Sequence, residues 1–115
     1  MFKAKFPKSE EARQAELKIG DAYFRQKDYL LAAESYEAFL RIHPFDEKSG
    51  YAHYRAGTAY AKYAPSAIDR DQKYLYDALP NLRRAAVIPG PYQDIAKQEL
   101  LSVYLRLSKR DYYIG

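Results

Sequence analysis

This sequence predicts an all-α array of antiparallel helix pairs, on three observations. Gly20, Tyr23, Ala32, Tyr36 and Pro44 fall at spacings partly repeated by Gly57, Tyr60, Ala78 and Leu82. The segments between them carry apolar residues three and four positions apart, the period of one helix face. The punctuation is that of helix ends: Ser9 ahead of two acids, Pro44 after His43, and Ile-Pro-Gly-Pro from Ile88. At 115 residues the chain is one domain-sized unit, a size that buries roughly 65% of its unfolded surface. Hydrophobic residues at 48% with charged residues at 30% place it among globular chains rather than disordered ones.

In order along the chain, the first helix is expected from Ser9 to about Gln26. Ser9 supplies the N-cap and the following glutamates suit the helix dipole. Its inward stripe reads Ala12, Ala15, Ile19, Ala22 and Tyr23. After the turn Gln26–Asp28 a second helix runs from Tyr29 to Ile42, with Leu31, Ala32, Ser35, Tyr36 and Phe39 inward. Pro44 ends it, because proline disfavours a helical conformation in the residue before it. A third helix carries Gly57 and Tyr60. A fourth holds Ala78 and Leu82 and contains Pro80, which removes a backbone donor and is expected to kink the helix or shorten its start. The last helix runs from Tyr92 onward on the stripe Ile95, Leu100, Leu101, Tyr104, Leu105 and Leu107.

The intervals Gly-x2-Tyr and Ala-x3-Tyr followed by a proline fit the tetratricopeptide pattern, a helix pair repeated about every 34 residues. In that pattern Gly20 lets a second helix approach closely, while Tyr23 and Tyr36 fill the space between helices. Gly20 to Gly57 is 37 residues, and Gly57 to Ala78 is 21 where the matching interval in the first unit is 12. The second unit therefore carries an insertion. A single solenoid module follows, with a first repeat over 8–46 and a second over 47–90 whose inserted segment is 64–77. A long helix over 91–115 leads into a further repeat. Phe6 and Pro7 read as the tail of a preceding repeat, so the array is expected to extend beyond both ends. Such a piece leaves stacking faces open and is expected to self-associate.

Several function classes find no support. Cysteine is absent, which removes disulfides, thiolate nucleophiles and cysteine-held metals. There is no phosphate-cradling glycine loop, no His-Glu-x-x-His and no Gly-x-Ser-x-Gly, so the chain is not expected to be an enzyme and no cofactor or metal is expected. His43 and His53 have no second histidine at helical spacing and are assigned to packing. No run approaches the ~20 apolar residues of a membrane span, and MFKAKFPKSEEA lacks the apolar core of a signal peptide. The net charge of +4 is spread among compensating acids, with denser groups only in KAKFPK, at Arg83 and Arg84, and at Lys109 and Arg110. A basic RNA-binding module is the reading left for that charge. The 13 tyrosines are better placed for helix packing than for base stacking.

In a tetratricopeptide array the concave wall is lined by the first helix of each pair. Here those positions are Lys18, Asp21, Phe24 and Arg25, then Tyr51, Tyr54, Arg55, Thr58 and Lys62. Tyrosines beside arginine and lysine suit an extended peptide with aromatic side chains and a C-terminal carboxylate. Asp69, Arg70 and Asp71 in the insertion form a charge cluster that either meets a partner or caps the loop itself.

Four stretches together resemble the BamD family of outer-membrane lipoproteins. They are AELKIGDAYFRQKDYLLAAESYEAFLRIHP, YAHYRAGTAYAK, DRDQ with DALPNLRRA, and KRDYYIG. The likeness covers about Phe6 to Gly115 and departs at Pro80, in the short IPGPY loop, and in the signal peptide, lipidated cysteine and later repeats that this chain lacks. The resemblance implies a tetratricopeptide scaffold of the β-barrel assembly machinery, in the periplasm at the inner leaflet of the outer membrane. Its partners would be a BamA-like assembly protein, other assembly lipoproteins and unfolded outer-membrane proteins. The part present resembles the half associated with substrate engagement. The alternative is a generic tetratricopeptide adaptor of the cell-envelope coordinator type.

Overall fold

The computed structural model describes residues 2–64 and 72–114, with side chains described over 11–64 and 72–107. Within them the chain forms five helices and no strand. They are α1 (Phe2–Arg25), α2 (Tyr29–Ile42), α3 (Ser49–Tyr63), α4 (Lys73–Val87) and α5 (Gln93–Ile114). Each packs against the next in sequence, and α3 also touches α5. The result is an elongated tetratricopeptide-like array of 62 × 27 × 19 Å.

Two glycines show why the helices can come so close. A Cβ built on Gly20 would lie 2.8 Å from the Tyr36 ring, and one on Gly57 would lie 2.5 Å from Leu82 Cγ. Each glycine is thus the socket for the large residue of the following helix, as the repeat spacing predicts. Among the described residues, Tyr36, Phe39, Leu75, Leu82 and Val103 are the largest fully buried side chains. They run as one core through the array.

The α1–α2 turn closes with Lys27 N–H bonded to the Phe24 carbonyl and Asp28 N–H to the Tyr23 carbonyl. That pairing is a Schellman motif, and Lys27 takes the left-handed conformation (φ 68°) in which glycine is usual. At the end of α2, His43 N–H still bonds Phe39 O at 2.8 Å, and Pro44 allows nothing further. Two orphan carbonyls of helix C-termini are satisfied by α5: Arg106 reaches Ala61 O at 2.9 Å and Gln93 reaches Ala86 O at 3.0 Å.

The second helix keeps its predicted bounds, and five expectations need correction. The first helix starts at Phe2 rather than Ser9 and passes through Pro7, so Phe6 and Pro7 are not the tail of a separate helix. One proline near a helix N-terminus removes a single bond where few depend on it. The α1 stripe is rotated: Leu17 and Gly20 are buried, whereas Ala12, Ala15 and Ile19 face outward. Leu31 is likewise exposed, and α2 buries Ala33 and Leu40 instead. In α5 the buried set is Ala96, Val103 and Leu107 with Leu100 packed beside them, while Ile95, Leu101, Tyr104 and Leu105 are exposed. Pro80 neither starts nor ends α4. It lies on the exposed side, where water can bond the carbonyl its missing N–H leaves free.

Candidate functional site

Asp21 on α1 organises the surface between the two repeats. Its Oδ1 accepts the Tyr36 hydroxyl from α2 and, at 2.5 Å, the Tyr51 hydroxyl from α3. The Arg55 guanidinium stands 4.0 Å from the same oxygen. Burial first, and then donation to Asp21, raises the pKa of both tyrosines above the ordinary phenol value, so they remain neutral donors. The Arg55 guanidinium carbon lies over the Phe24 ring, 3.9 Å from its centroid, with the Tyr51 ring at 5.6 Å. The carboxylate is therefore hydrogen-bonded from α2 and α3 and faces a cation on α3, and the wall it ties together is aromatic and cationic.

The aromatic surface continues into the α4–α5 turn. Tyr92 meets the edge of Tyr51 at 5.1 Å and stacks on Tyr54 at 5.7 Å between centroids. At the other end Phe24 packs edge-on to Tyr29 at 5.3 Å, with Lys62 5.9 Å from the Tyr29 ring. Beside Tyr51 and Tyr92 opens a cavity of about 370 Å³ walled also by Leu17, Lys18, Asp21 and Lys48. A second, of about 340 Å³, adjoins it through the shared Lys48, Tyr51 and Tyr92. Together they form a crevice with tyrosine walls and lysines at its rim.

Most of the sequence-predicted wall is brought together: Lys18, Asp21, Phe24, Tyr51, Tyr54, Arg55 and Lys62 share one face through the contacts above. Arg25 is exposed at the end of α1. Thr58 is a correction, being 5% exposed with its Oγ1 lacking a hydrogen-bond partner. Its place one residue after the Gly57 socket turns it into the array rather than onto the wall. Asp69, Arg70 and Asp71 lie outside the described residues. Sequence reasoning missed Tyr92 and Lys48, which belong to the turns leading into the first helix of a pair. No local signal marked Tyr92, which meets Tyr51 and Tyr54 of α3 only in the folded array.

A second polar cluster joins α2, α3 and α4. Tyr60 donates to Glu37 Oε1 and Asn81 Nδ2 to Glu37 Oε2, both at 2.8 Å, and His53 Nδ1 lies 2.9 Å from Asn81 Oδ1. His53 is thus a hydrogen-bonded member of a network rather than a plain packing residue. Burial lowers its pKa, opposed in part by the Asn81 hydrogen bond, with a smaller lowering effect from Arg84 and a smaller raising one from Glu37. His43 lies 3.6 Å from Glu16 and packs on Phe39. Among the described residues no cluster of His, Cys, Asp and Glu is placed to hold a metal, and no helix is long and apolar enough to cross a membrane.

Comparison with protein families is decisive for kinship. A model of YfiO, described as an outer membrane lipoprotein, matches residues 1–115. The chain belongs to the YfiO (BamD) family. A search of curated proteins finds no match. Membership agrees with the helical array, and it associates the chain with outer-membrane protein assembly and with the cell envelope.

Proposed function

We propose that this chain is a non-catalytic scaffold of the β-barrel assembly machinery, whose concave groove receives C-terminal segments of unfolded outer-membrane proteins. The observation that carries this reading is the crevice beside Tyr51 and Tyr92, with Lys18 and Lys48 at its rim. Asp21 is occupied by two hydroxyls and a guanidinium, so its charge does not repel an incoming carboxylate. An aromatic side chain gains apolar contact on the tyrosine faces, and a terminal carboxylate gains charge-assisted bonds from the lysines. Arg55, already held by Asp21 and Phe24, shapes the wall and is not the main anion contact. A BamA-like protein and other assembly lipoproteins are the remaining partners under this reading, in the periplasm at the inner leaflet of the outer membrane.

The test is fluorescence anisotropy of a labelled peptide that ends in an aromatic residue, against a scrambled control, at low and physiological salt. Preferential binding that survives salt is expected. Equal binding of both peptides, or binding that vanishes at physiological salt, contradicts substrate reception here.

A further inference from the structure

At one end of the array, three apolar side chains stand in solvent without a packing role. Phe45 in the α2–α3 turn is 91% exposed, Ile42 at the end of α2 61%, and Val87 at the end of α4 67%. The two turns are neighbours: Glu47, Lys48 and Gly50 of one and Ile88, Pro89 and Pro91 of the other wall the same crevice. These residues sit at helix ends, away from the outer faces of α1 and α5 on which a further helix could stack.

The charge around them is positive. Arg41 and Arg84 stand in the last turns of α2 and α4, and both are exposed, as is Lys48. Asp46 in the same turn is drawn inward, 3.3 Å from Arg13 with its side chain 8% exposed, and also accepts Lys48 N–H at 2.8 Å. Glu47 is the one exposed acid of that turn. The Arg13–Asp46 pair also shows that the N-terminal part of α1 leaves the array on this side. The helix continues there to Phe2.

We propose that this end is a bilayer-contacting edge, on which Ile42, Phe45 and Val87 enter the headgroup region of a lipid surface while Arg41, Lys48 and Arg84 meet anionic phosphates. Single apolar side chains on turn tips between cations suit a lipid interface, which is apolar beneath and anionic above. A protein partner would instead be matched by a contiguous, shape-complementary patch. The family is described as an outer membrane lipoprotein, so its members work beside a bilayer and even a weak contact suffices to orient them. The inference does not depend on the peptide reading and shares only Lys48 with the cavity beside Tyr51.

The sequence contains no tryptophan, so Phe45→Trp makes a single reporter on the turn. With vesicles of phosphatidylethanolamine and phosphatidylglycerol, its emission is expected to shift to the blue and to be quenched by brominated lipid. The Ile42→Ser/Val87→Ser double variant is expected to lower vesicle affinity roughly tenfold, with Leu31→Ser as an exposed control that leaves it unchanged. Helical circular dichroism establishes that each variant is folded. Unchanged emission at saturating lipid overturns the proposal. So does vesicle binding that the double variant retains in full and salt abolishes, since that is charge adsorption alone. A blue shift without vesicles that grows with protein concentration also overturns it, by assigning the edge to a second copy of the chain.

Discussion

Asp21 joins three helices through one carboxylate oxygen, and that economy makes it the most sensitive residue of the groove. Asp21→Ala leaves the Tyr36 and Tyr51 hydroxyls without their acceptor and Arg55 without its counter-charge. We expect a loss of about 1–3 kcal/mol in urea unfolding, together with weaker peptide binding because Tyr51 is no longer held. His53 gives a prediction in pH. Its folded pKa lies below the unfolded value of about 6.5, so folding favours the neutral ring. This contribution is fully present above that value and is lost as pH falls below it, because the unfolded chain then binds the proton more readily. The urea midpoint should fall between pH 7.5 and pH 5, and the His53→Gln variant should show a shallower slope, because it removes the group that burial makes harder to protonate in the folded state. At this scale the sequence was legible where sterics spoke locally, as in the match of Gly20 to Tyr36. It was silent on Tyr92, whose contacts with Tyr51 and Tyr54 exist only after α5 has docked on α4.

Among the elements, the α1–α2 turn holds a local strain that a substitution can release. Lys27 carries a left-handed backbone inside an otherwise regular Schellman closure. Lys27→Gly is expected to stabilise the fold by about 1 kcal/mol, the cost of that conformation for a residue with a Cβ. A lower thermal midpoint for the variant would mean that the Lys27 side chain contributes more than the strain costs. The bounds of α2 could be read from the sequence because the Gln26–Asp28 turn and Pro44 frame it. The phase of α1 and α5 could not. Both carry apolar residues on two faces, so periodicity names a helix without saying which face turns inward. In α5 the smaller Ala96 and Val103 are buried and the larger Ile95 and Leu105 are not, because the surface of α4 fits the former.

For the whole molecule, stacking in sequence order explains both the groove and the open faces. The crevice exists because α1, α3 and the α4–α5 turn all reach the same place, with Tyr51 and Tyr92 lining both of its cavities. The same order leaves Ile19 on α1 and Ile95, Leu101 and Leu105 on α5 exposed. In a repeat array such faces are covered by a neighbour. Sedimentation velocity is therefore expected to show this chain associating as concentration rises, and Leu101→Glu is expected to hold it monomeric. A monomer at every concentration would show that these faces tolerate water.

The groove reading stands or falls on whether the crevice distinguishes the chemistry of a peptide's end. Anisotropy titrations would compare an aromatic-ended peptide bearing a free carboxylate with the same peptide amidated, on the wild-type chain and on Tyr92→Ala. The account predicts that the free acid binds more tightly and that Tyr92→Ala weakens both peptides, while Arg25→Ala leaves them unchanged. Equal affinity for the two peptides, with no effect of Tyr92→Ala, would contradict it and remove the crevice from substrate recognition.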